Sequence, residues 1–214
     1  PPQLRSVWMP GFGAVLRAHA GDPQETYLSY RQGYLVSHCD PNQGDFVLYA
    51  RGEPLVTQCL FAYPTHQHAP YIELDKTFGW NNRVRFGSPG DNGGWPGGGP
   101  ASAVHEYHFS DSADYLRGWG DYGPQRWTRQ VLFLKGRTTK EPSYFVFRDS
   151  ADPTGPDAKC QPKWWYLRTP GGPEQVASRP AGLTYTAPRG ARLDVHFLQP
   201  ASAPFASRQA SREG

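Results

Sequence analysis

The chain has 214 residues, enough for one large domain or two small ones. Glycine (24) and proline (22) are both far above ordinary usage, which excludes a bundle of long helices, because each residue interrupts helical geometry. Aromatic content of 14% excludes a disordered chain, and a formal charge of +3 without a block of like charges gives no footprint for nucleic acid.

Short segments rich in aromatic and β-branched residues follow one another between turn signals. Strands are expected at Gly13–Ala18, 25–30, 34–38, 46–50 and 55–60, with tight turns at Gly21-Asp22-Pro23 and Arg51-Gly52-Glu53-Pro54. Trp80 to Phe86 alternates as a further strand. Ser88 to Pro100 carries six glycines and three prolines around a solitary Trp95 and is expected to be a flexible surface loop. Strands resume at Ala103–Phe109, and one helical turn is expected over Ser112–Leu116. Trp127–Leu134 and Ser143–Asp149 then predict a central hairpin, and Lys163–Arg168, Gly182–Thr186 and Ala191–Leu198 complete the set. The expected fold is all-β: an antiparallel two-sheet β-sandwich, supersandwich-like, with long Gly/Pro-rich loops. It would occupy residues 1–200, with 201–214 a flexible tail or linker.

No apolar run is long enough to span a membrane as a helix, and no GxSxG, P-loop, GxGxxG or HExxH motif is present. Cys39, Cys59 and Cys160 have no zinc-ribbon spacing. One disulfide, with Cys39–Cys59 the favoured pair, and three buried thiols are both open. The densest polar stretch runs from Ser37 to Asp45. Within it, His38 two residues before Asp40 could bind a metal or move a proton, or Asp40 and Asn42 could cap a turn. His66 and His68 lie between Pro64 and Pro70 and read as loop. His105 and His108 would face opposite sides of a strand. Arg126, Arg129 and Arg148 could grip a carboxylate or sulfate, or snorkel from a sheet face. Trp164 and Trp165 could offer a stacking surface for a sugar, although neighbours on a strand alternate faces, so at least one belongs to the core.

The stretch from Tyr34 to Leu55 resembles the heparinase II/III-like polysaccharide lyases. His38-Cys39-Asp40 matches a His-x-Asp, Asp45-Phe46 opens an apolar strand, and Gly52-Glu53-Pro54-Leu55 matches a Gly-x-x-Leu turn. The segment from Trp127 to Asp149 and the one from Leu193 to Pro200 are similar to the same module, so the resemblance runs loosely over about residues 30–200. It implies an antiparallel sandwich that works beside an N-terminal α/α-toroid, with an acidic polysaccharide in the cleft between them. It also implies β-elimination at a uronic acid, in a secreted or periplasmic setting.

By this resemblance His38 is the catalytic candidate, and Tyr49, Arg51, Trp95, Trp164 and Trp165 are the substrate-binding candidates. The family's metal-binding Asp would fall near Thr57 or Gln58, and its later His near Asn81 or Asn82. These are weak ligands, so no metal residue carries over, although a divalent ion such as zinc stays open. With no toroid in the chain, independent catalysis is not expected. The rival expectations are a non-catalytic carbohydrate-binding sandwich and a structural domain that self-associates through an exposed sheet.

Overall fold

The computed structural model describes residues 4–33, 43–58, 82–86, 102–122, 125–153 and 163–199, with the side chains of Arg85, Phe86, Tyr122, Lys163 and Trp164 left aside. In chain order the strands are β1 (Val7–Met9), β2 (Gly13–Ala18), β3 (Thr26–Arg31), β4 (Asp45–Ala50), β5 (Glu53–Val56), β6 (Val84–Phe86) and β7 (Ser102–Phe109). They continue with β8 (Ala113–Tyr122), β9 (Gln125–Leu134), β10 (Tyr144–Pro153), β11 (Lys163–Trp165), β12 (Val176–Arg179), β13 (Gly182–Thr186) and β14 (Arg192–His196). The only helical element among the described residues is a 3-10 turn at Pro173–Gln175.

Strands β1 to β5 form an antiparallel meander in chain order, and β7 to β10 form a second sheet in the order β10-β9-β8-β7. A three-stranded sheet β12-β13-β14 and the pair β11-β6 complete the molecule. The arrangement is an all-β sandwich, as the strand rhythm predicts.

Alternation and register together build the core. Leu16, Leu28, Leu48 and Val56 are direct cross-strand partners from β2 to β5, and all four are buried. Ala14, Tyr30 and Phe46 form the next row. The facing sheet answers with Leu116 beside Val131, and with Phe133 stacked on Phe145 at 4.2 Å. Phe46 meets Phe147 at 4.8 Å and links the two sheets, and Tyr185, Ala187 and Ala191 extend the core under the third sheet. Each fully buried leucine, valine or phenylalanine among them contributes roughly 1.5–3 kcal/mol. A register shift between Leu48 and Tyr49 lets Leu55 and Val56, although adjacent, both be buried.

A polar seam crosses this apolar core. Arg129 points inward from β9 and is 0% exposed. Its Nε and Nη2 donate to the two carboxylate oxygens of Asp149 at 2.7 and 2.9 Å, and Nη1 donates to the Gly44 carbonyl at 2.6 Å. Trp127 Nε1 donates to the same carboxylate at 2.9 Å. The guanidinium also lies over the rings of Trp127, Phe147 and Phe46, at 4.9, 5.3 and 5.9 Å from their centroids. Burial works against its charge, but the Asp149 charge and hydrogen bonds outweigh that and raise its pKa. Gly44 has φ +76, and a Cβ there would strike the Trp127 ring, so only glycine brings this carbonyl to the arginine.

A second tie joins the third sheet to the first. The buried Glu53 carboxylate on β5 accepts the backbone N–H of Arg189 at 2.6 Å and of Ala191 at 2.8 Å, fixing the β13–β14 turn.

Several elements differ from the sequence expectation. Ser112–Leu116 holds no helical turn, because Asp114 and Leu116 alternate inward along β8. Beyond them Gly118 and Gly120 also continue the strand, where Tyr30 and Gln32 pack too close to Gly118 to leave room for a side chain. The β4–β5 turn is only Arg51-Gly52, so Glu53 and Pro54 belong to the strand, which ends at Val56 rather than residue 60. The strand expected over 80–86 is confined to Val84–Phe86 within the described residues. Strands β1 and β12 are additional to the expected set. The expectations for residues 34–38, the 88–100 loop, His66, His68, the three cysteines and the 201–214 tail lie outside the described residues.

Two outcomes follow from the two ties. Arg129→Met removes the cation from the partly buried Asp149 carboxylate and the donor from the Gly44 carbonyl, so urea denaturation is expected to show a loss of about 3 kcal/mol; a loss below about 1 kcal/mol would show that the seam is dispensable. Burial would raise the Glu53 pKa, but the Ala191 and Arg189 N–H groups and the Arg189 charge outweigh it and leave the pKa below 4.5. A carboxylate depressed in the folded state stabilises above its unfolded pKa and ceases to do so as the pH falls through its folded pKa. The stability gap between the parent and Glu53→Gln should therefore be open near about pH 7 and close on the acid side of about pH 4. A gap that stays constant across that range contradicts the assignment.

Candidate functional site

Two places collect the sequence candidates, and β4 joins them, because Asp45 opens that strand and the Arg51-Gly52 turn follows its last residue. At the first end, Asp45 is 0% exposed, and among the described residues its carboxylate accepts from three N–H donors. Phe46 N–H and Asn82 N–H reach Oδ1 at 2.7 and 2.6 Å, and the Gln58 side-chain amide donates to Oδ2. Asn82, also fully buried, donates through Nδ2 to the carbonyls of Phe46 (2.8 Å) and Thr57 (3.1 Å), and accepts Arg168 N–H at 2.6 Å. Burial raises the Asp45 pKa, and these hydrogen bonds together with the Arg83 charge partly offset the rise.

Thr57, Gln58 and Asn82 are the described positions to which the resemblance assigns metal ligands, and they do converge. They converge as amides and carbonyls around one carboxylate, a set that satisfies itself by hydrogen bonding. Among the described residues no group of three His, Cys, Asp or Glu side chains is placed to hold a metal. The segment 34–42, which carries His38, joins the described structure at Gly33 and Gln43, on this side of β4; His38 itself lies outside the described residues.

At the other end of β4 the outward-facing side chains make a cross-strand row. Arg17, Tyr27, Tyr49 and Pro54 are successive partners on β2, β3, β4 and β5. The Arg17 guanidinium grips Glu25 at 3.0 and 3.1 Å and lies 4.6 Å over the Tyr27 ring. Tyr27 meets Tyr49 edge to face at 6.3 Å, and the Tyr49 ring remains 43% exposed. The β4–β5 turn follows, with positive φ at both Arg51 (55°) and Gly52 (73°), the two-residue hairpin geometry that suits a right-handed twist. Arg51 Nη2 donates to the Lys140 carbonyl at 2.9 Å, and Arg189 Nη2 donates to the Gly52 carbonyl.

Two shallow depressions, of about 440 and 510 Å³, flank this turn. The first is lined by Arg17, Tyr27 and Tyr49, and the second by Arg51 and Arg189. Both include Pro23 and Gly52, so they lie side by side across the turn as two halves of a shallow groove.

Of the sequence candidates, Tyr49 lines the first depression and Arg51 the second, on either side of the turn. Trp165 sits half-buried at the core edge, with ring centroids of Phe197, Phe46 and Phe147 at 6.0, 6.3 and 6.4 Å. The backbone of Trp164 pairs with Arg85 in the β11-β6 ladder, and Trp95 lies outside the described residues. The three strand arginines separate by role: Arg129 is the buried seam, Arg126 pairs with Asp121 at 2.8 Å over Trp119, and Arg148 donates to Gln130 at 3.2 Å. His105 occupies a bulge in β7 and is exposed, as is His108.

Sequence reasoning missed Tyr27 and Arg17, which the alternation of β2 and β3 places beside Tyr49 once the register is known. It also missed Arg189, whose signal was the Pro188-Arg189-Gly190 turn between two expected strands.

No family model matches the chain, and no curated protein matches it in sequence. Its structure is similar to a crystal structure of a mutant of heparan sulfate lyase HepC from Pedobacter heparinus, with a TM-score of 0.68 and 15% sequence identity. The superposition covers 89% of this chain and 28% of that one, so the chain spans little more than a quarter of the lyase's length. It has the fold of that part of the lyase.

Proposed function

We propose that this chain is the β-sandwich module of a polysaccharide lyase acting on an acidic, uronate-containing polysaccharide, in concert with an α/α-toroid. The observation that carries this reading is the fold likeness to a heparan sulfate lyase over 89% of the chain, joined to the sequence resemblance around His38. In β-elimination the uronate carboxylate must be neutralised while a base takes the C5 proton. The C5–H electron pair then becomes the C4=C5 double bond, and the C4–O4 bond breaks as O4 is protonated.

His38 is the residue we assign to this cleft, contacting substrate or organising the groups around it, with the toroid supplying the remaining acid–base machinery. Asp45 and Asn82 support the segment entering from residue 43, and on this reading they need no metal ion to do so. A non-catalytic carbohydrate-binding reading has separate support in the exposed Tyr49 ring beside Arg51.

The native protein carrying this chain should release products that absorb in the near ultraviolet, the mark of the new C4=C5 bond, from one of alginate, heparan sulfate, chondroitin or ulvan. His38→Ala is expected to lower kcat/KM by about 10²–10³-fold. No unsaturated product from any of the four polymers would remove the lyase reading.

A further inference from the structure

We propose that the groove at the β4–β5 turn binds an acidic saccharide, with Tyr49 stacking on a sugar ring and the guanidiniums of Arg51 and Arg189 taking its carboxylate or sulfate. The two halves of the groove differ in chemistry. One half offers the exposed face of Tyr49, braced edge-on by Tyr27, whose own face is covered by the Arg17 guanidinium. A pyranose ring presents flat C–H faces to such an aromatic surface. The other half is lined by two arginines and no acidic side chain.

Each guanidinium spends little of its donor capacity on the protein. Arg51 donates Nη2 to Lys140, and Arg189 donates Nη2 to Gly52 with its Nε 3.7 Å from Glu53, so planar N–H edges remain for an oxyanion. The acid groups that line the groove sit at the tyrosine end, and at the arginine end the buried Glu53 carboxylate is occupied by two backbone N–H groups. At the tyrosine end Glu25 is held by Arg17, and Asp22 caps the Gln24 N–H at 2.7 Å. That polarity orients the ligand, acid group toward Arg51 and Arg189.

Two features fix this arrangement. Glu53 holds the backbone of the Arg189 turn by two N–H bonds, so Arg189 is presented from an anchored loop. Arg51 stands at φ 55°, a position where Gly, Asn and Asp are usual and a longer side chain is strained. Strain kept at an exposed turn by a long cationic side chain points to a use for that side chain. The choice of a saccharide over other anions rests on the lyase-module reading, whereas the pair of arginines beside an open tyrosine does not depend on it.

The test is titration of the intact chain into fluorescently labelled alginate, heparan sulfate, dextran sulfate and neutral dextran oligosaccharides at low salt. Acidic saccharides should bind and neutral dextran should not. Arg51→Gly and Arg189→Ala should each weaken binding about tenfold, and Tyr49→Ala about fivefold. Arg51→Gly relieves the positive-φ strain, so its melting temperature should be unchanged or higher, and its loss of binding then cannot be a loss of fold. Arg148→Gln, on the outer face of the second sheet, should bind as the parent does. Binding confined to alginate assigns the carboxylate and binding confined to dextran sulfate assigns the sulfate; either supports the groove.

Parent-like affinity in all three groove variants overturns the proposal, as does equal weakening by Arg148→Gln or equal binding of neutral dextran. The lyase reading fails on a separate readout, the absence of unsaturated product, so the two can fall independently.

Discussion

A full positive charge stands where the two main sheets meet, and the packing around it is arranged so that it can stay there. Arg129 has no exposed surface, and its hydrogen bonds reach Asp149 on the neighbouring strand β10 and the Gly44 carbonyl at the entry to β4. One side chain therefore connects the first sheet to the edge of the second. Three aromatic rings close over the guanidinium and keep water from competing with those bonds. An ion pair so placed adds little net stability compared with an apolar filling, but it penalises every alternative register, because a slip would leave the charge unpaired. That constraint fixes where β4 begins, and both ends of β4 inherit their geometry from it.

Much of the fold was legible because it is written in alternation. The β3 segment, from Thr26 to Arg31, shows its two faces directly, and the hairpin of β9 and β10 was placed to within a few residues. The differences have separate physical causes. At Gly118 and Gly120 the inward positions of β8 carry no side chain and so no hydrophobic signal, although the space at Gly118 is what Tyr30 and Gln32 pack against. At the β4–β5 turn the proline suggested a bend, yet Pro54 lies within an edge strand, where a missing N–H costs least. Arg129 was read as one of three equivalent arginines, since burial of a charge depends on a partner twenty residues away that no local pattern reveals. The groove was half legible. Tyr49 and Arg51 were visible as neighbours in sequence, but Tyr27 joins them by register and Arg189 only through the Glu53 tie.

The functional picture has a spatial logic set by strand β4. Its first residue belongs to a buried, amide-rich cluster, and its last residues lead into an open, aromatic and cationic groove. Chemistry that depends on fixed proton positions suits the former setting, since the low local dielectric strengthens each polar contact. Recognition of a long, charged, flexible polymer suits the latter, where contacts are individually weak and can be made and released. On the proposed reading, a sandwich module that combines the two holds a polymer at one place while a partner domain acts on it at another, a matter of effective concentration rather than of added catalytic groups.

The proline in β5 has a further consequence. Strand β5 is the last in its sheet, and an open strand edge is a row of donors and acceptors that a second chain could extend. Pro54 removes a donor from the middle of that row, and just past the strand Thr57 N–H is already committed to the Arg168 carbonyl at 3.1 Å. Among the described residues this edge therefore offers a broken row of donors. The same proline, partnered with Tyr49 across the strands, faces the groove side of the sheet, so the residue that interrupts the edge also helps shape the surface beside the tyrosine.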